Sequence, residues 1–236
     1  MDPQHIKAKS GDISRKVVIS GDPARVAQLS TLLARPRMVN ENRGFLTYTG
    51  QYEGKELTVA CHGIGGPSAA IVVEELITLG AKVIVRLGSC GGLLGPMKVG
   101  DLVIATGAGY KGGTLDAYFG RRIVPRPDGE LTALLADSAS KQEARYYTGR
   151  VFSSDAFYAE GPDYARKLAR KGYIAIEMEC ATLFGLGKLR GVKAASVLLV
   201  SDNVTEGAPI VDADVLRGYA TRTGEMVFAS LCRLRT

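Results

Sequence analysis

The stretch Lys82-Val83-Ile84-Val85-Arg86-Leu87-Gly88-Ser89-Cys90-Gly91-Gly92 carries an apolar run into a Gly/Ser-rich turn, with one basic residue at the junction. Val83, Ile84, Val85 and Leu87 read as a strand buried on both faces, the pattern of a parallel sheet covered by helices. Gly88, Gly91 and Gly92 allow the backbone amides of the turn to approach an anion, and Arg86 and Ser89 would face it. The same residues suit an ordinary turn after a strand with a solvated arginine, so the stretch decides the scaffold and only suggests the ligand.

A second junction of this kind lies upstream. Arg15-Lys16-Val17-Val18-Ile19-Ser20-Gly21 is a strand, and Asp22-Pro23-Ala24-Arg25 supplies a helix cap, a proline suited to the first helical turn and another arginine. Alone it fits a plain strand-to-helix turn; beside the Arg86 stretch it is a second anion-facing end. Between the two, residues 45–52 and 55–61 alternate around Glu53-Gly54 as in a β-hairpin, preceded by Asn40-Glu41-Asn42-Arg43-Gly44. Gly63-Ile64-Gly65-Gly66-Pro67 then opens a helix with an apolar face of Ile71, Val72, Leu76 and Leu79, stopping at Gly80.

Downstream, residues 101–106 form a short buried strand, and residues 107–127, rich in Gly, Pro and Arg, read as a long loop. A helix over 129–141 leads to a strand over 145–152, followed by Phe157 and Tyr158, which either stack on a flat ligand or fill the core. Ile174-Ala175-Ile176-Glu177-Met178-Glu179-Cys180 puts two carboxylates where an apolar strand meets a helix over 181–189. Buried carboxylates are costly unless they hold something, such as sugar hydroxyls; a glutamate pair favoured by the helix dipole is the other reading. The strand over 193–200 ends in Ser201-Asp202-Asn203, and a C-terminal helix spans 212–234. Asp202 thus stands at the carboxyl end of a strand, where open α/β sheets hold their ligands. The elements make a single three-layer α/β domain over 1–236, with a mixed β-sheet flanked by helices.

Composition narrows the function. The chain has 236 residues, 46% of them apolar, and no apolar run near the roughly 18 residues of a membrane span. Met1-Asp2-Pro3-Gln4-His5 is no signal peptide, so a cytoplasmic protein is expected. The net charge of +6 is scattered, without basic runs and interleaved aromatics, which favours a small anion over nucleic acid. Four cysteines without metal spacing read as reduced thiols, and with only His5 and His62 no metal is expected. There is no Walker A pattern, and Gly63-x-Gly65-Gly66 departs from the dinucleotide fingerprint, so no cofactor is expected. Four Gln and three Asn match the amide depletion of thermophile proteins.

Taken together, Gly21-Asp22-Pro23-x-Arg25, Asn42-Arg43-Gly44, Arg86-x-Gly88-Ser89-x-Gly91, Glu177-Met178-Glu179 and Ser201-Asp202-Asn203 resemble the nucleoside phosphorylase-I family of purine nucleoside and uridine phosphorylases. The match runs from His5 to the C-terminal helix, and the archaeal 5′-methylthioadenosine and purine nucleoside phosphorylases look closest. The resemblance implies a homo-oligomer, a hexamer built as a trimer of dimers. It puts phosphate, a co-substrate, against Gly21, Arg25, Arg86 and Ser89, with Arg43 arriving from the neighbouring subunit; three arginines suit a dianion. Glu179 would accept from the ribose 2′- and 3′-hydroxyls, Met178 would pack on the sugar, and His5 of the neighbour would approach the 5′ end. Phe157 would stack on the base, and Asp202 would act at purine N7 as the glycosidic bond breaks. The bacterial hexameric branch assists this aspartate with an arginine near the last helix; Arg217 is left out of the catalytic set, because the archaeal enzymes manage without it.

Three rivals remain. Uridine phosphorylase shares the phosphate motifs but reads uracil with a glutamine and an arginine, and no Gln-x-Arg pair lies between Phe157 and Lys171. A nucleosidase that uses water leaves three phosphate-directed arginines unexplained. A non-catalytic nucleoside sensor on the same fold leaves Asp202 unexplained.

Overall fold

In the computed structural model, which describes residues 2–234, nine strands join into one mixed sheet. Residues 1, 235 and 236 of the expected 1–236 domain lie outside the described residues. The elements are β1 (Lys16–Ser20), α1 (Pro23–Ser30), β2 (Ala34–Asn40), β3 (Thr47–Tyr52), β4 (Lys55–Cys61), α2 (Gly66–Thr78), β5 (Val83–Gly92) and β6 (Leu102–Lys111). They continue with α3 (Thr114–Phe119), α4 (Gly129–Lys141), β7 (Tyr146–Ser154), α5 (Pro162–Arg170), β8 (Tyr173–Glu177), α6 (Cys180–Arg190), β9 (Lys193–Asn203) and α7 (Ala213–Arg233). The strand order is β2-β3-β4-β1-β5-β8-β7-β6-β9, and β9 also pairs with β5, so that β5, β8, β7, β6 and β9 close into a ring. β1 runs parallel to β4 and β5, and β5 parallel to β9; the β3–β4 hairpin and the β5–β8 and β6–β9 pairs are antiparallel.

Local chemistry explains the starts and turns. The Asp22 carboxylate accepts from Ala24 N at 2.8 Å and caps α1, with Pro23 in the first turn. At the hairpin, Glu53 (φ 48°) and Gly54 (φ 71°) are both left-handed, as a tight two-residue turn between right-twisted strands requires. Successive strand residues feed opposite faces. Val17, Ile19 and Ile84 pack with Val72, Leu76 and Phe184 of α2 and α6; Val18, Val85 and Leu87 pack with Leu29, Leu131 and Phe228 of α1, α4 and α7. That double burial produces the continuous apolar runs of the sequence and the expected three layers. Among the described residues, no helix is long and apolar enough to cross a membrane.

Several expectations are corrected. The glycine-rich stretch after Leu87 is not a turn: β5 continues to Gly92, paired with β9 as far as Asn203. The expected short strand and long loop over 101–127 is a ten-residue strand to Lys111 paired with β7, then α3, closed at Gly120 in the left-handed conformation. Ile71 is 38% exposed, because the buried face of α2 is Ala69, Ala70, Val72, Val73 and Leu76. β2 and α5 were not foreseen. β2 is an edge strand bearing exposed Arg35, Pro36 and Arg37, a place that tolerates proline, and α5 buries only Ala165 and Leu168.

Candidate active site

The carboxyl ends of β1, β5, β8 and β9 surround a cavity of about 650 Å³. Of the residues expected at a site, Gly21, Arg25, Arg86, Ser89, Phe157, Met178, Glu179 and Asp202 all line it. They come from five separate segments, so it is the sheet topology that brings them together.

At one end stand two guanidiniums. Arg25 projects from α1 and is buried; burial depresses its pKa, Asp22 works against that, and the like charge of Arg86 adds to it. Arg86 is buried on β5, where its Nη2 donates to Glu179 Oε2 and its Nη1 lies 3.6 Å from Glu177 Oε2. Among the described residues, its Nε and Nη1 have no hydrogen-bond partner. A Cβ at Gly88 would collide with this guanidinium, so glycine there makes room for the arginine head as well as for a ligand. Burial disfavours the Arg86 charge, yet Glu179 and Glu177 more than offset this and raise its pKa.

The two glutamates have different jobs. Glu177 Oε2 accepts from the amides of Glu179 and Cys180, both at 2.8 Å, and its Oε1 from the Ser153 hydroxyl, so it caps α6 from within the strand. Glu179 Oε1 accepts from Gly65 N at 2.6 Å and its other oxygen from Arg86. Burial opposes its ionisation, but Arg86 and the Gly65 amide outweigh that and hold the carboxyl below its usual range. Behind them His62 is fully buried with neither ring nitrogen partnered; burial pushes it down to about 4, so it is neutral near pH 7.

The opposite end carries an acid. Asp202 follows Ser201, whose hydroxyl donates to Oδ1 at 2.7 Å; burial raises the Asp202 pKa and the Ser201 bond offsets it in part. Glu160, which sequence reasoning missed, lines the same end with a buried Oε1 that has no partner. Burial raises it, a hydrogen bond from Ser154 works against this, and the charges of Glu177 and Asp202 add to the rise. The rim is apolar: Ile64, Phe157, Tyr158 and Ile210 are exposed there.

His5 and Arg43 do not line this cavity. They lie together elsewhere: Asn42 Nδ2 donates to the His5 carbonyl at 2.9 Å, and the amides of residues 4–6 and the His5 ring all bond the Glu75 carboxylate. Arg43 sits in a left-handed conformation (φ 58°) in the turn beside them. Arg217 pairs with Asp214 and faces a neighbouring groove beside Asp22 and Arg25. No group of three His, Cys, Asp or Glu residues among those described could hold a metal.

Paired guanidiniums and a half-buried acid in one cavity suit the transfer of a glycosyl group to a phosphate. The family model described as "Phosphorylase superfamily" matches residues 15–231. The chain belongs to this superfamily. Its relatives include a guanosine phosphorylase of Halorubrum lacusprofundi, 36% identical over 203 residues, covering 86% of this chain and 84% of the relative. A DeoD-type purine nucleoside phosphorylase of Hahella chejuensis is 39% identical over 88% of this chain and 89% of its own length. A uridine phosphorylase of Thermococcus kodakarensis is 37% identical, with 84% and 76% covered. The crystal structure of a uridine phosphorylase from Vibrio fischeri superposes with a TM-score of 0.88 at 30% identity, covering 99% of this chain and 98% of that one.

For a phosphorylase-superfamily chain, Glu160 is the informative addition. Its signal in the sequence was a lone carboxylate two residues after the Phe157-Tyr158 pair, ahead of Gly161-Pro162, which no periodicity distinguishes from a surface glutamate.

Proposed function

We propose that this chain cleaves purine nucleosides with inorganic phosphate, releasing the free base and a pentose 1-phosphate. Nucleoside phosphorolysis itself follows from family membership, and makes the chain a pentosyltransferase. The choice of purine rests on Asp202: a carboxyl with a raised pKa, in the same cavity as Arg25 and Arg86, is suited to protonate a leaving purine at N7. A pyrimidine offers no N7. Glu160 beside it supports the same reading, since a second carboxyl matches the additional polar edge of a purine.

In this reading the C1′–N9 bond breaks with its electron pair leaving on the base, which takes the Asp202 proton at N7. Phosphate, held between Arg25 and Arg86 beside Gly21 and Ser89, closes on the positive C1′. Two like charges in one buried place are relieved by a dianion, which supports phosphate as the nucleophile over water. Glu179 accepts from the ribose hydroxyls, Met178 packs on the sugar and Phe157 stacks on the base. His5 and Arg43 serve the site of a facing subunit, in a hexamer built from dimers; their joint placement away from their own cavity supports this. The apolar rim at Ile64 and Ile210 suits a 5′-methylthio group, so methylthioadenosine is among the substrates. The same reading takes the enzyme as cytoplasmic, in keeping with four cysteines that form no disulfide.

A spectrophotometric assay of inosine, guanosine, methylthioadenosine and uridine, each with and without phosphate, tests it. Phosphate-dependent loss of the purine substrates is expected. Faster cleavage of uridine, or cleavage without phosphate, would overturn the reading.

A further inference from the structure

A second cavity, of about 570 Å³, lies against β6, β7 and β8 and shares no lining residue with the first. It is built by the residues that gave the sequence its Gly-, Pro- and Arg-rich stretch. On β6, a Cβ at Gly109 would run into the Tyr173 hydroxyl, so bare backbone there lets Tyr173 of β8 lie across the strand. The Arg150 guanidinium sits 4.8 Å from the centroid of that ring, and its Nη2 donates to the Lys171 carbonyl at 2.6 Å. Arg122 repeats the arrangement, 4.8 Å over the Tyr110 ring with Nη2 donating to the Tyr110 carbonyl. Its segment is tied to β6 through Ala108 N to the Pro125 carbonyl at 3.0 Å and Ile123 N to the Tyr110 hydroxyl at 3.2 Å. Arg126 completes the wall.

Six other arginines of the fold pair with carboxylates. Among the described residues, no carboxylate lies within 4 Å of Arg122, Arg126 or Arg150, and none lines the cavity. Three like charges around one hollow repel each other until an anion enters. Two of them are braced on aromatic faces, which lowers the ordering cost of binding, and their planar forks match phosphate oxygens. We propose that this cavity is a second anion site, separate from the reaction site, which takes a small phosphate ester or polyphosphate.

Calorimetric titration of pyrophosphate at low ionic strength tests this on the wild-type protein, Arg25→Ala, Arg122→Ala/Arg150→Ala and the single variant Arg126→Ala. Two binding classes are expected in the wild type. Arg25→Ala should weaken one, and the double variant should weaken the other roughly tenfold or more while keeping the phosphate KM and kcat of phosphorolysis. Arg126→Ala, at an exposed position, should weaken the same class several-fold. Pyrophosphate binding unchanged in both the double and the Arg126 variants would overturn the proposal. So would a change of oligomeric mass in Arg122→Ala/Arg150→Ala by light scattering, which would make this face a subunit contact.

Discussion

Arg86 of β5 donates to Glu179 at the entry of α6 while its other terminal nitrogen lies 3.6 Å from Glu177, and all three side chains are buried. The residue assigned to phosphate and the residue assigned to the sugar are therefore one ion pair. Anything that moves the guanidinium is felt by the carboxylate that would hold the ribose.

Removing Arg86 alone should destabilise the fold as well as the site. Arg86→Ala leaves Glu179 buried without its cation, a loss of about 3–5 kcal/mol for a broken buried pair. The double variant Arg86→Ala/Glu179→Gln should recover most of that, because the Glu179 charge goes with its partner while Glu177 keeps its bonds from Ser153 and the amides of Glu179 and Cys180. Urea unfolding of the two proteins checks it; equal stabilities would mean that Gly65 and solvent satisfy Glu179 without the arginine.

Arg25 offers a cleaner view of phosphate binding, since among the described residues it makes no ion pair that its loss would orphan. Arg25→Ala should raise the KM for phosphate about ten- to hundredfold, the cost of one charge-assisted contact, and change the nucleoside KM far less. Because its like charge beside Arg86 is removed, the ligand-free variant should melt no lower than the parent, while the rise in Tm on adding phosphate shrinks. Initial rates and melting curves read both. An unchanged phosphate KM would remove Arg25 from the site.

How much of this was legible from the sequence follows from the range over which each feature is determined. The cap at Asp22, the hairpin at Glu53-Gly54 and the position of Asp202 at a strand end depend on residues within one turn or one strand, and the structure has them. Gly88 to Gly92 were misread as a turn because glycine locally signals a bend. Their actual reason is packing, in part from far along the chain: Arg86, Met97, Ile176 and Val204 fill the space that side chains there would need. The division of labour between Glu177 and Glu179 was equally hidden, since Ser153, which engages Glu177, lies 24 residues away on β7. Glu160 gave no signal, as its meaning comes only from the cavity that β9 and the segment after β7 enclose.

Asp202 links turnover to stability. Its carboxyl has an ordinary value of 3.8 and is raised by burial, with the Ser201 bond offsetting in part. A raised carboxyl lends stability that is complete below the unfolded value and lost as pH rises through the folded value, so above the folded value the ionised group weighs against the fold. Asp202→Asn should therefore melt at a higher temperature than the parent above the folded pKa, where the carboxyl is ionised, with the margin shrinking as pH falls through that value. Its turnover of inosine should drop by about 10²- to 10⁴-fold, as for a lost general acid, and less for nucleosides with activated leaving groups. Equal losses for both kinds of nucleoside would count against protonation at N7.

His5 and the Arg43 turn are bound to one another through Asn42, and neither touches the cavity that holds Asp202 and Glu179. If both complete the cavity of a facing subunit, each active site draws on two chains, and the dimer is the smallest active unit. Arg43→Ala and Asp202→Ala proteins should each be nearly inactive alone. Unfolded together and refolded, they would form mixed dimers in which one site carries both defects and the other carries neither. With random pairing about half of the dimers are mixed and half of their sites are intact, so activity should return to about a quarter of wild type. Native mass measurement establishes that mixed oligomers have formed, and the rate assay reads the recovery. Mixed oligomers as inactive as the separate variants would show that Arg43 serves its own chain, and the two-chain site would have to be abandoned.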